Sequence, residues 1–466
     1  MWDIMPTLMS FVTIINTLLI LIIVFVQRRN TAATWAWAVA CGLFPIGGFI
    51  IYMIVGQDSR KQKAFMQKKL DDDVLLAAYR EMGGGTLPEE DTETYDNQLT
   101  LYHDGNTKFE ALYADIAAAK RFVFVQYYIL RGDETGARFI HALAEKAAEG
   151  VEVRLLIDGM GCHFTPNTLY QPFIDAGGHL GKFMPPVPVR INFRNHRKLA
   201  IIDGEVAYIG GLNIGNEYLG LSTRFGAWRD THMRLIGSAM LPMTLRFMMD
   251  WNFASNDKLL PQVSYFPTHE PLPSAPGGAP GATDAARVRI ISSGPDTRYP
   301  YVLHQFCRMI MDAKKSVYIQ SPYFVPDEAL FTALRIAALS GVDVRIMYPA
   351  NPDHPFVYWC GLSYIGELIC AGVKGYEYTN GFIHTKTLMI DSERCAVGST
   401  NMDVRSFKIN FETHAFIEDY NTTLELEAKF FEDIAQSRLW TMEAYESRPR
   451  KTKIKESVSR LFSPLL

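Results

Sequence analysis

The stretch His196-Arg197-Lys198, followed by Asp203 and by Gly210-Gly211-Leu212-Asn213, recurs as His384-Thr385-Lys386, Asp391 and Gly398-Ser399-Thr400-Asn401. Both copies read H-x-K-x4-D-x6-G-[GS]-x-N. In each, a short apolar run follows the Lys, at residues 199–202 and 387–390. Runs of this length bounded by turn residues predict buried strands. Residues i and i+2 of a strand share a face, so each His and its Lys point into the same site. A turn at Asp203-Gly204 or Asp391-Ser392 leads to a second apolar run that ends on the small pair. Small residues let the backbone approach another group closely.

Taken twice, the set is two His, two Lys and two Asn, residue types suited to one phosphate. Lysines act as point charges on phosphate oxygens, and Asn213 and Asn401 offer neutral donors. A neutral imidazole can attack phosphorus while a protonated one donates to the leaving oxygen. Two imidazoles therefore suffice for a two-step transfer through a covalent phosphohistidine. The cationic groups supply the charge stabilisation a metal would give, so no metal and no other cofactor are expected.

Working outward, the flanks repeat as well. Arg229-Asp230-Thr231-His232 parallels Phe411-Glu412-Thr413-His414, and Ala119-Lys120-Arg121-Phe122-Val123-Phe124-Val125-Gln126 parallels Ala313-Lys314-Lys315-Ser316-Val317-Tyr318-Ile319-Gln320. Gly150-Val151-Glu152-Val153-Arg154 answers Gly341-Val342-Asp343-Val344-Arg345. Helices are predicted over 109–120 and 136–149, strands over 122–129 and 151–157. Alternating strands and helices give an α/β sheet in each half. The period, near 190 residues, is that of a duplicated domain. Pseudo-twofold symmetry would bring both motifs to one cleft.

These paired motifs resemble the HKD motifs of the phospholipase D superfamily. The resemblance implies two duplicated α-β-α domains related by pseudo-twofold symmetry, with a catalytic set of His196, Lys198, Asp203, His384, Lys386 and Asp391. Asn213 and Asn401 would bind phosphate. Asp230 and Glu412 fit the acidic residue that hydrogen-bonds the catalytic His and fixes its tautomer. Asp203 and Asp391, at strand ends, suit structural support as well as a direct role.

The chain has 466 residues, room for two or three domains. A net charge of -4 lacks the basic signature of a nucleic-acid binder. The six cysteines are scattered and suggest neither a disulfide framework nor a zinc site. Residues 8–26 form one apolar run and 33–55 a second, holding Trp35, Trp37, Pro45, Gly47, Gly48 and Tyr52. They predict an N-terminal transmembrane helical hairpin. Arg60, Lys61, Lys63, Lys68 and Lys69 put the following body on the cytoplasmic side, whereas Arg28 and Arg29 pull the other way; a second run that enters the membrane and returns reconciles both. The expected division is a hairpin over 1–58, a connector over 59–100, a first domain over 101–258, a linker over 259–285, a second domain over 286–447 and a basic amphipathic tail over 448–466. Residues 241–251, rich in Met, are expected to pack the core, with a bilayer-dipping surface as the alternative. The tail reads equally as an anionic-membrane contact or a solvated end. Glu217 and Arg405 are candidate pocket residues or members of ion pairs.

Two apolar segments, an acidic connector and a paired HKD body resemble the bacterial cardiolipin synthases along the whole chain, as do H-T-K-T-L-M-I-D and G-S-T-N-M-D-x-R-S-F-x-x-N-F-E. That implies a multi-pass enzyme of the bacterial inner (cell) membrane, with phosphatidylglycerol and cardiolipin as its lipid partners and no nucleic acid. It would transfer a phosphatidyl group from one phosphatidylglycerol to another, releasing glycerol. A phospholipase D-type hydrolase, or a transferase using another alcohol, is the alternative. The sequence leaves the oligomeric state open.

Overall fold

The computed structural model describes residues 4–25, 31–55, 58–84, 93–183, 192–267 and 285–463. The charged interruption at 27–30, most of the 259–285 linker, and Leu465 and Leu466 of the tail lie outside the described residues. The chain divides into an N-terminal unit reaching Leu70 and a body that holds nearly all of the rest.

In the N-terminal unit, helix α1 (Ile4–Phe25) covers the first apolar run. The second run is not one helix. It breaks at Phe44 into α2 (Thr31–Leu43) and α3 (Pro45–Val55). Pro45 starts the new helix, where its missing N–H costs nothing. The two pieces fold back on each other: the rings of Trp37 and Tyr52 meet edge-on at 5.2 Å. A Cβ on Gly48 would lie 2.5 Å from the carbonyl oxygen of Ala40, so only glycine permits this approach. Asn16 of α1 donates to the Pro45 carbonyl at 2.8 Å, which ties α1 to the start of α3. At 1.5 Å per residue α2 and α3 are about 20 and 17 Å long, short of a ~30 Å bilayer core. Among the described residues no helix is long and apolar enough to cross a membrane, so the expected pair of spans is not what the structure shows.

Among the described residues the body is built on one continuous sheet of fifteen strands. From the centre outward the first half contributes Glu93–Tyr102, His232–Ile236, Val206–Gly210, Leu199–Ile202, Phe122–Tyr127, Glu152–Asp158 and His179–Phe183. The second half repeats the order with Ala286–Ser293, Glu412–Glu418, Arg394–Gly398, Thr387–Ile390, Ser316–Gln320, Asp343–Pro349 and Lys374–Tyr378, and adds Ser437–Trp440 at its edge. The halves join where Glu93–Tyr102 pairs antiparallel with Ala286–Ser293. Residues 93–100, expected to be connector, are thus central sheet. Their acidic composition hid a strand whose two faces bury only Thr94, Asn97 and Leu101. The remainder of the expected connector is in part a helix, Asp58–Glu81.

Helices cover the sheet, and each half has its own apolar core. Phe139, Leu143, Val123, Val125, Leu155 and Phe109 fill the first. Phe306, Leu330, Leu334, Val317, Ile346 and Leu388 fill the second. The Met-rich segment forms the helix Met240–Ala254, with Met243, Phe247 and Met248 wholly buried, so it packs the core. The tail forms the helix Arg450–Arg460, on which Ile454 and Val458 are exposed, as is Leu461 at its end.

Candidate active site

The apolar runs after each Lys are central strands, Leu199–Ile202 and Thr387–Ile390, fully buried as expected. What the repeat did not reveal is that the two halves exchange parts. The segment entering the first motif pairs with the second half: His196 N donates to the Phe411 carbonyl at 2.9 Å, and Phe411 N donates to that of Arg194 at 2.8 Å. Reciprocally, Phe382-Ile383 pairs with Trp228-Arg229, and His384 N donates to the Arg229 carbonyl at 2.7 Å. Each motif histidine is thereby set beside the acidic residue of the opposite half. His196 Nδ1 lies 2.9 and 3.1 Å from the Glu412 carboxylate oxygens. His384 Nδ1 lies 2.6 Å from Asp230 Oδ2. With both Nδ1 atoms donating to carboxylates, both Nε2 atoms keep a lone pair.

The small pair makes room for these carboxylates. A Cβ on Gly211 would come within 2.0 Å of Asp230 Oδ1. Ser399, at the corresponding place, donates its hydroxyl to Glu412 Oε2 at 2.5 Å. Glu412 also accepts from Asn410 Nδ2 at 3.2 Å, and Asp230 from Thr231 N at 2.8 Å.

Lys198 and Lys386 are buried and donate to the carbonyls of His196 and His384. Burial lowers Lys198 to about 7 and Lys386 to about 8. Burial, reinforced by the charges of both lysines, brings both histidines down to about 4. Each lysine therefore acts on both rings. Burial alone would raise Asp230 and Glu412, but the cations around them hold both below the usual carboxylate range. At neutral pH the site has ionised carboxylates and neutral imidazoles.

Asn213 is engaged within its own half: its Oδ1 accepts from Ile129 N at 3.1 Å and its Nδ2 donates to the Tyr218 hydroxyl at 3.2 Å. Asn401 is buried, and its Oδ1 has no hydrogen-bond partner among the described residues. The motif aspartates are not brought to the rings. Asp203 sits in the left-handed region, φ 53°, at the far end of its strand, and accepts from the backbone N–H of Lys120, Arg121 and Phe122 at 2.7–2.8 Å. Asp391, φ 57°, accepts from those of Lys314, Lys315 and Ser316 over the same range. Of the two uses open to them, support of the strand turn is the one their contacts serve. Glu217 is in an ion pair with Arg131 at 3.0 Å.

Several residues around the site were missed. Arg197, between His196 and Lys198, is wholly buried against Asp250, and its Nε donates to Thr413 Oγ1 at 2.9 Å. Asp250 also accepts from Gln126 and Asn195, each at 2.9 Å. In the second half Asp433 takes the place of Asp250, accepting from Arg229 Nε at 3.0 Å and Gln320 Nε2 at 2.8 Å. The repeated Gln126 and Gln320 were the visible signal, since a polar residue that recurs inside an apolar strand needs a buried partner. The Tyr128 ring stands 4.9 Å from His196, and the Trp228 ring 5.1 Å from His384. Among the described residues no His, Cys, Asp and Glu cluster could hold a metal ion.

With this geometry in place, comparison with known proteins is direct. The family described as "Cardiolipin synthase, PLD-like domain" matches residues 112–224 and 306–434, one segment in each half. A second, "Phospholipase_D-nuclease N-terminal", matches residues 14–57. The major cardiolipin synthase of Bacillus subtilis is 43% identical, with 98% of this chain and 99% of that protein aligned. A cardiolipin synthase of Staphylococcus aureus is 41% identical over 97% and 95%. Among solved structures, the phosphatidylserine synthase of Haemophilus influenzae superposes with a TM-score of 0.60 at 14% identity, covering 79% of this chain and 95% of that one, which speaks to the fold alone. A domain match in both halves and full-length identity above 40% establish that the chain belongs to the cardiolipin synthase family of phospholipase D-like proteins.

Proposed function

We propose that the chain is a phosphatidyltransferase that makes cardiolipin and glycerol from two molecules of phosphatidylglycerol. The observation that carries this is the pair of imidazoles, each braced at Nδ1 by a carboxylate of the opposite half. His196 Nε2 attacks phosphorus, the bond to the glycerol oxygen breaks, and protonated His384 gives that oxygen its proton. Neutral His384 then takes the proton of a primary hydroxyl on the second phosphatidylglycerol. That oxygen displaces His196, and the phosphatidyl group is passed on. One phosphodiester is exchanged for another, so no nucleotide or other cofactor is needed. The phosphodiester anion itself favours protonation of a ring that is otherwise neutral. Lys198, Lys386, Asn213 and Asn401 are assigned to the non-bridging oxygens. Asp230 and Glu412 orient the rings, and Asp203 and Asp391 hold the strands that carry them. The pseudo-symmetry leaves the roles of the two rings interchangeable in principle.

We assign the enzyme to the bacterial cell membrane, with the body on the cytoplasmic face. Exposed Phe11, Ile14, Leu18, Phe25 and Leu43 in the N-terminal helices, with Phe44 at the break between α2 and α3, support burial there in lipid. The folded-back α2–α3 pair favours a segment that enters the bilayer and returns. In detergent with phosphatidylglycerol, purified enzyme is expected to give cardiolipin and glycerol. Phosphatidic acid instead would identify a hydrolase, and no turnover a non-catalytic membrane protein. His196→Ala and His384→Ala should each abolish product with the fold retained.

A further inference from the structure

Seventeen positions separate Asn213 from Asp230, but eleven separate Asn401 from Glu412, so the first half carries six extra residues. With both ends of that interval aligned, they fall at 221–226. Gly220 (φ 74°) and Gly226 (φ 66°) turn the chain on either side of Phe225. The turn brings Ala227 onto the segment that enters the second motif. Its carbonyl accepts from Phe382 N at 2.9 Å, and a Cβ on Gly381 would collide with the same oxygen. Arg224 Nη2 donates to the Asp353 carbonyl at 3.3 Å, a further tie to the second half.

This turn lays Phe225 on the flank of His384. Its ring is 5.4 Å from those of Trp228 and Phe382, which stand 4.9 Å from each other. Trp228 is 5.1 Å from the His384 ring, and Phe382 stacks with it at 6.0 Å. Leu212 and Tyr218 complete the cluster. In the repeat, Leu212, Tyr218, Trp228 and Phe382 correspond to Thr400, Ser406, Asn410 and Arg194, the positions around His196. An apolar flank beside one ring thus answers a polar flank beside the other, and the extra residues thicken the apolar one.

The asymmetry falls where the reaction is sensitive to water. With the phosphatidyl group on His196, the next bond to phosphorus forms on the opposite side, that of His384, because attacking and leaving atoms stand in line. Any hydroxyl admitted there can give His384 its proton and take the phosphatidyl group. Water yields phosphatidic acid, and a second lipid yields cardiolipin. Expelling water from such a site protects a reactive intermediate from hydrolysis.

We propose that Phe225, Trp228 and Phe382 form a water-excluding wall beside His384 that directs the phosphatidyl-enzyme to a lipid hydroxyl. This deepens the phosphatidyl-transfer reading above and rests on it, with His384 as the ring that deprotonates the acceptor. In either outcome the P–N bond to His196 breaks, a P–O bond forms and the hydroxyl proton passes to His384. The wall decides which hydroxyl arrives and takes no part in those steps.

Cardiolipin and phosphatidic acid drain one intermediate, so their ratio is independent of how much enzyme is folded and how fast the intermediate forms. With full-length enzyme and phosphatidylglycerol in detergent, Phe225→Ala is expected to raise the ratio of phosphatidic acid to cardiolipin about tenfold, and Trp228→Ala at least as much. Phe225→Leu, which keeps the position apolar, should stay within about twofold of wild type. Phe225 is only half-buried, so its variants decide even if Trp228→Ala yields no product. An unchanged ratio in Phe225→Ala overturns the wall. So does a rise in Phe225→Leu equal to that in Phe225→Ala, which would trace the effect to the fold of the turn. A wild-type enzyme that yields only phosphatidic acid overturns the transfer reading itself, and the wall with it.

Discussion

Glu412 reaches His196 from the other half of the chain, and so does Asp230 to His384. Replacing Glu412 with Gln keeps the shape but removes the charge that fixes the Nδ1–H tautomer. Glu412→Gln is therefore expected to slow cardiolipin formation by about two to four orders of magnitude. In an imidazole NMR titration it should move His196 and leave His384 in place; a shift of His384 instead would reverse the pairing. The pH dependence follows from the same groups. A neutral attacking ring is lost only as pH falls toward about 4, while charge on the lysines is lost as pH rises through about 7 and 8. Protonated His384 grows scarce in the free enzyme above about 4, so kcat/KM should decline as pH rises from there and fall more steeply on the alkaline side of neutrality, where the lysines lose charge. Lys386→Arg, which does not titrate there, should push the alkaline limb upward in whatever activity remains. For stability the sign is also set. In the unfolded chain both rings take up protons near 6.5, in the folded one only near 4, so unfolding free energy is lost as pH falls between those values.

Among the elements, the strands that follow each lysine depend on the turn at their far end. Asp391 gathers three backbone N–H groups there, and Asp203 does the same. Asp391→Ala should cost about 1–3 kcal/mol of stability, measured by melting, while turnover per folded molecule changes little. A collapse of turnover at unchanged melting temperature would return the aspartate to the chemistry. These strands were legible because four apolar residues between a Lys and an Asp-Gly or Asp-Ser turn leave little else to form. The crossed pairing was not. Contacts between residues 154 and 216 positions apart leave no local pattern, and Asp230 looks the same in sequence whichever ring it serves. Arg197 and Asp250 were invisible for a related reason, since a charged residue reads as solvent-facing until its partner is found. The first strand was masked by its polar composition, and the break at Pro45 by the apolar residues on both sides.

At the scale of the molecule, the N-terminal unit and the body are distinct in composition as well as in space-filling units. Removing residues 1–57 is expected to leave a body that turns over phosphatidylglycerol dispersed in detergent but is extracted from membranes by high salt. Retention through a salt wash would assign the anchor to the exposed Ile454, Val458 and Leu461 of the last helix. Within the body, the seam between Glu93–Tyr102 and Ala286–Ser293 makes one sheet of two repeats.

The traded carboxylates carry a genetic consequence. One reaction centre draws on both ends of a single polypeptide, so a cell expressing the His196→Ala and His384→Ala alleles together should gain nothing from the mixture. Intragenic complementation between them would mean that two polypeptides swap their repeats to assemble a hybrid centre.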